Sequence, residues 1–190
     1  QEGSFAAAIR DVVLAHLRAA GAEIRLRDLY AEGFDPVLRA EDLAAYATSP
    51  ANRAAVDCHC ADLQWCDTLI FIYPTWWYGL PAMLKGWLDR VLLPDVAFLL
   101  PDVDHPRLRL ALRQIGRMAV FTTCGAGWWV NFLAGFPGRR QLQRGVGWLC
   151  KPLHRRAFLA LYCIDQTTPD HRARHLLRVG RKMQALIGRA

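Results

Sequence analysis

Thr68-Leu-Ile-Phe-Ile-Tyr73 is an uncharged run of β-branched, aliphatic and aromatic residues, and Pro74 stops it. A strand with one wet face alternates apolar with polar residues. A run without that alternation is covered on both sides, as in a parallel sheet held between two layers of helix. The next residues, Thr75-Trp76-Trp77-Tyr78-Gly79, are too few to bury three aromatics in a core of their own, and Pro81 stands where the first turn of a helix tolerates proline. The helix expected over Ala82 to Leu92 carries Leu84, Trp87, Leu88 and Val91 on one face. Strand, loop and helix in this order put the loop at the strand's carboxyl end, where open α/β sheets bind ligands. There the flat faces of Trp76, Trp77 and Tyr78 suit a planar heterocycle. Core packing of the three without any ligand is the competing reading.

The rest of the chain reads in the same α/β idiom. Ser4 is a natural N-cap for a helix over Phe5 to Ala20, in which Ile9, Val12, Val13 and Leu17 recur at helical spacing, and Gly21 closes it. Ile24 and Leu26 alternate with charged residues and predict a strand ending near Asp28. Short helices follow around 41–47 and 52–65. Met118 to Thr122 is a second buried-strand pattern, and Thr122-Thr-Cys-Gly-Ala-Gly127 is a small-residue loop at its carboxyl end. Val146 to Leu153 reads as part of a helix and Phe158 to Cys163 as the last strand. Pro169 to Ile187 reads as an amphipathic helix with Leu176, Leu177 and Met183 inward. No repeat or linker interrupts this, so residues 1–190 are expected to form one domain.

Several function classes fall away on composition. No apolar run is long enough to span a bilayer and nothing resembles a signal peptide, so no integral membrane segment and a cytoplasmic location are expected. The six cysteines lack the spacing of a disulfide scaffold and are read as reduced, mostly buried thiols; Cys124 is not read as a redox centre. Cys58-His59-Cys60 with Cys66 does not make a metal site, because helical residues two apart do not face each other and no second pair completes four ligands. A net charge of +7 suits anionic partners without choosing among them. Arg139-Arg140 and Arg155-Arg156 are read as solvated faces, and with no nucleic-acid-binding motif beside them no nucleic-acid partner is expected. His154, His171 and His175 are read as surface residues.

From Pro74 to Val91 the chain follows Pro-x-x-Trp-x-Gly-x-Pro-Ala-x-Leu-Lys-Gly-Trp-x-Asp-Arg-Val. This segment resembles the flavin-dependent NAD(P)H quinone dehydrogenase family of the flavodoxin-like superfold. Asp28-Leu-Tyr-Ala-Glu-Gly-Phe-Asp-Pro36 is similar to that family's connection after its second strand. The resemblance implies a three-layer α/β fold, a parallel sheet of order 2-1-3-4-5 with helices on both faces. It also implies a first strand and turn before Ser4 that this sequence does not contain. Either the sequence as given begins downstream of its amino terminus or the fold has lost a central strand, and the first is expected.

Carried over by position, Ser4 and Phe5 match the family's phosphate turn. Pro74, Thr75, Trp76, Trp77 and Tyr78 match its ring-binding loop, and Thr122, Thr123, Cys124 and Gly125 match its Thr-Thr-Gly-Gly loop. Phe98 stands where the family often has an aromatic; it and the pair Trp128 and Trp129 are assigned to a substrate pocket, with no catalytic side chain named. The chain departs from the pattern at Ala6, at Cys124, and at Val130 and Phe136, which fall about where a Tyr and a His stand near the substrate. The implied function is hydride transfer from NAD(P)H through bound FAD, or FMN, to a quinone or similar small acceptor, in a two-fold homodimer. An ancillary, non-catalytic subunit with the same fold is the alternative, and a one-electron carrier ranks below both.

Overall fold

The uncharged runs become strands, and the amphipathic runs become the helices that cover them. The computed structural model describes residues 3–188. In chain order its elements are α1 (Phe5–Ala19), α2 (Ala40–Ala45), α3 (Asp57–Trp65), β1 (Thr68–Pro74), α4 (Ala82–Val91), β2 (Phe98–Leu99), β3 (Arg109–Leu110), β4 (Arg117–Thr123), α5 (Trp128–Leu133), α6 (Pro137–Arg140), a π-helical stretch (Gln141–Val146), α7 (Gly147–Leu149), β5 (Arg155–Leu161) and α8 (Pro169–Ile187). β1, β4 and β5 form a parallel sheet in that order, with Phe71 opposite Val120 and Val120 opposite Phe158. β2 and β3 make a separate antiparallel pair.

The period-two side-chain alternation of a strand sorts the core into two layers. Phe71, Tyr73, Met118 and Val120 face one way, against Cys60 and Leu63 of α3 and Trp87, Leu88 and Val91 of α4. Ala119, Phe121, Ala157 and Leu159 face the other way, against Ile9 and Val13 of α1 and Val179, Met183 and Leu186 of α8. Both faces are therefore covered, which is why these strands carry no alternating charge. α1 and α8 lie side by side and start at the same edge of the sheet: Phe5 meets His175, and Gly180 lets the His16 ring approach within 2.9 Å of where a Cβ would stand.

The strand expected over Ile24 to Asp28 does not form. Extended backbone is stable only where a neighbour completes its hydrogen bonds, and the free edge of β1 pairs with no strand among the described residues. Residues 22–28 instead run along α3, where Arg25 and Arg27 bond the two carboxylate oxygens of Asp62 at 2.8 and 2.6 Å and Arg25 lies 4.1 Å over the Trp65 ring. The described sheet thus has the last three places of the expected order. Two helix readings also change. The segment 146–153 is helical only to Leu149, and Leu177 is 64% exposed while Leu176 and Met183 turn inward.

The histidine reading is corrected at two of three positions: His171 is exposed, but His154 and His175 are buried. Neither ring nitrogen of His175 has a hydrogen-bond partner. Burial, with the positive charges of Arg178 and His171 adding to it, pushes its pKa down from 6.5 to about 4. The unfolded chain then binds the proton first as pH falls. Stability from the neutral buried ring is fully present above about pH 6.5 and is lost toward about pH 4, a loss on the order of 3 kcal/mol. Urea midpoints should fall through that window, and fall less in His175→Leu. Parallel curves for the two proteins would remove His175 as the cause.

Candidate functional site

At the carboxyl edge of the sheet the ladders run one residue past the strands. The Thr75 amide donates to the Thr123 carbonyl at 2.7 Å, and the Cys124 amide to the Leu161 carbonyl at 2.8 Å. This brings three side chains together: the hydroxyls of Thr75 and Thr122 are hydrogen-bonded at 2.8 Å, and the Cys124 thiol donates to Thr75 Oγ1 at 3.3 Å. Burial pushes the Cys124 thiol up, and the Tyr73 phenol as well. Both stay protonated at neutral pH, so this corner is uncharged, and Cys124 is a poor nucleophile. Beyond it, the amides of Gly125 and Ala126 donate to no group among the described residues. They are two backbone donors at the mouth of the edge.

The loop after β1 is under conformational strain. Trp76 and Gly79 exchange backbone hydrogen bonds of 3.3 and 2.8 Å, which closes a tight turn with Trp77 and Tyr78 at its centre. Both central residues have positive φ, 44° and 63°. Such turns ordinarily hold Asn and Gly, and a bulky residue in the left-handed region costs on the order of 1–2 kcal/mol. Tyr78 is half-buried, but the strain at Trp77 brings no burial in return: Trp77 is 86% exposed, and its neighbour Trp76 62%. Strain that displays aromatics to solvent is a functional signature rather than a packing one.

α5 is amphipathic in reverse. Its one polar residue, Asn131, is buried and donates through Nδ2 to the Gly127 carbonyl at 2.9 Å. Its apolar residues Trp128, Trp129, Phe132 and Leu133 all face out. Trp128 stacks on Phe132 at 5.2 Å between centroids, and Trp129 meets both edge-on. Behind α5 a narrow cleft is lined by Tyr73, Thr75, Asn131, Phe136, Arg139 and Tyr162. Arg139 is held there by its hydrogen bond to Gln143 at 3.1 Å and by the Phe158 ring 4.6 Å below its guanidinium.

The structure gathers most of the sequence-selected residues at this one edge. Pro74 ends β1 and Thr75, Trp76, Trp77 and Tyr78 follow it, while Thr122 and Thr123 end β4 and Cys124 and Gly125 lie just beyond it. Trp128 and Trp129 begin α5. Ser4 caps α1, accepting from the Ala7 amide at 3.1 Å, and Phe5 sits 6.0 Å below the Arg172 guanidinium near the start of α8. Phe98 does not line the cleft; it pairs with Leu110 in the two-stranded ribbon and packs against the core. Sequence reasoning did not select Asn131 or Arg139 as site residues. A lone polar residue in Trp-Trp-Val-Asn-Phe-Leu is a signal that could have found the first. All six cysteines are free, Cys58 is exposed rather than buried, and no His/Cys/Asp/Glu group among the described residues could hold a metal. No described helix is long and apolar enough to cross a membrane.

A family model described as a flavodoxin-like fold matches residues 1–137. The chain is 31% identical over 144 residues to the ribosyldihydronicotinamide dehydrogenase (quinone) of Pongo abelii, a match covering 64% of this chain and 62% of that protein. Among solved structures it resembles Smu.1420 of Streptococcus mutans UA159, with a TM-score of 0.77, 28% identity and coverage of 97% and 94% of the two chains. The FMN-dependent NADH-azoreductase of Bacillus anthracis str. Ames Ancestor, solved in complex with FMN, has a TM-score of 0.75 at 14% identity over 99% and 93%, a likeness of fold alone. The chain spans less than two thirds of the length of the curated relatives it matches.

Proposed function

Because this chain belongs to the flavodoxin-like fold family, we propose that it is a flavin-dependent NAD(P)H oxidoreductase that delivers hydride to a quinone or similarly electron-poor small molecule. The observation that carries this reading is the strained turn holding Trp76 and Trp77 exposed at the carboxyl end of β1. The name of the quinone-reducing relative supports the same chemistry. We take the flavin to be FAD, with FMN the alternative that the azoreductase favours; the mass of the released flavin decides.

When bound, a flavin supplies the hydride chemistry itself, so the protein needs position and electrostatics more than acid and base. Trp77 and Trp76 offer faces for the ring and keep water from it. The free amides of Gly125 and Ala126 would supply donors to the part of the ring that gains negative charge on reduction. Thr75 and Thr122 hold that corner in a neutral hydrogen-bonded net, and the start of α1 at Ser4 and Phe5 would take a phosphate. Trp128 and Trp129 remain our candidates for contact with the acceptor, whereas Phe98, packed against the core in the β2–β3 ribbon, is withdrawn from that role. The test is steady-state oxidation of NADH and NADPH with a quinone: parallel double-reciprocal lines are expected, and no turnover with either nucleotide would refute the reading.

We place the enzyme in the cytoplasm as a two-fold homodimer. A helix that buries its asparagine and exposes its tryptophans leaves an apolar surface that a monomer has little reason to display, and a second copy across the same face would cover it. Light scattering should give twice 21.5 kDa. A single-chain mass with full activity would overturn the dimer.

A further inference from the structure

A second surface on this molecule is left unused by the flavin chemistry. From His105 to Ile164 the chain contains ten arginines and lysines and no aspartate or glutamate. The helical run from Pro137 to Leu149 carries three of them, Arg139, Arg140 and Arg144. Leu142, Gln143, Val146 and Gly147 are buried, while Arg140, Arg144 and Trp148 stand outward, Trp148 at 65% exposure. The chain then turns through Lys151 and Pro152 to Leu153, which is 97% exposed at a φ of 57°. Leucine is a poor residue for the left-handed region, and this tip buries nothing. Arg140, Arg144 and Lys151 make no ion pair among the described residues; the arginines of the acid-free stretch that do, Arg109 and Arg117, reach Asp102 and Asp67 outside it.

We propose that this face docks on an anionic phospholipid bilayer, with Arg140, Arg144 and Lys151 at the headgroups and Trp148 and Leu153 in the interfacial layer. Anionic headgroups complement a cationic face that has no carboxylate of its own. Tryptophan and an apolar tip belong where headgroups meet acyl chains. The phosphates of a nucleic-acid duplex would engage the cations alone and leave Leu153 and Trp148 without a purpose. A second copy of the chain would set like charges against each other. The binding needs neither flavin nor acceptor, so its failure and the failure of the oxidoreductase reading are separate results.

The experiment is co-sedimentation of the full chain with vesicles of phosphatidylcholine alone or mixed with phosphatidylglycerol, over a range of salt. Binding is expected only with phosphatidylglycerol, and it should weaken as salt rises. Each surface cation contributes a factor of about five, so Arg140→Ala/Arg144→Ala should bind about twenty-five-fold more weakly. Leu153→Ser should also weaken binding while leaving the salt dependence as it was. Unchanged flavin occupancy and thermal midpoint show that the variants are folded. No binding to phosphatidylglycerol vesicles overturns the proposal, and so does binding indifferent to both variants. If the double variant alters the mass by light scattering but not sedimentation, the face is an interface between copies. If duplex DNA competes for the protein and Leu153→Ser changes nothing, the face reads polyanions; either result replaces the lipid.

Discussion

Gly86→Ala is expected to destabilise the protein by about 3 kcal/mol, the upper part of the range for forced overpacking. A Cβ on Gly86 would stand 2.1 Å from the Pro36 carbonyl oxygen and 2.4 Å from the Pro36 Cβ. Neither is the free end of a side chain, so α4 or the 34–36 segment must move. That segment is fixed from both sides: Phe34 is buried with its ring edge-on to His59, and Arg90 of α4 donates to the Asp35 carbonyl at 2.7 Å. For a chain of this size the thermal midpoint should drop by roughly 6–12 °C. Gly145→Ala is the control, because nothing beyond its own helical turn lies within 4 Å of its Cβ position, and helical alanine over glycine should be neutral or stabilising. Equal midpoints for Gly86→Ala and the native chain would show that the close approach is not rigid.

Trp77→Gly should separate stability from cofactor binding. Glycine at a φ of 44° relieves left-handed strain, a gain of about 1 kcal/mol measured without ligand. The same change removes a ring face, and stacking of a planar heterocycle on an aromatic contributes on the order of 1–3 kcal/mol. Flavin affinity should therefore fall about tenfold or more while the ligand-free protein holds or gains stability. Trp77→Ala should lose the affinity without the gain, because it keeps the strain. Unchanged flavin retention in both variants would count against the assignment of this turn to the cofactor.

What could be read in the sequence was what local physics decides. The run at Thr68, the proline that stops it, Ser4 as a cap and the face Trp87-Leu88-Val91 all depend on residues within a few positions of one another, and all stand in the structure as expected. The strand at Ile24 failed because pairing is nonlocal: its alternation is sound, but no described neighbour offers it a ladder. His175 was misread because a basic, polar helix face gives no sign that α1 will close over one histidine. Trp76, Trp77 and Tyr78 stand out in the sequence for their rings, yet the strain that makes the turn informative lies in the backbone angles of Trp77 and Tyr78, which residue identity does not reveal. In α5, exposed tryptophans around a buried asparagine invert the pattern from which inward faces are read.

We propose that this chain carries reducing equivalents from a nicotinamide to an acceptor through a flavin seated at Trp76 and Trp77. The most direct measurement follows the visible flavin band of the reconstituted protein without oxygen, first on adding NADH or NADPH and then on adding a quinone. Bleaching by at least one nucleotide and full recovery on the quinone are expected, as two separable half-reactions, with both slowed or lost in Trp77→Gly at subsaturating flavin. A bound flavin that neither nucleotide bleaches would contradict it.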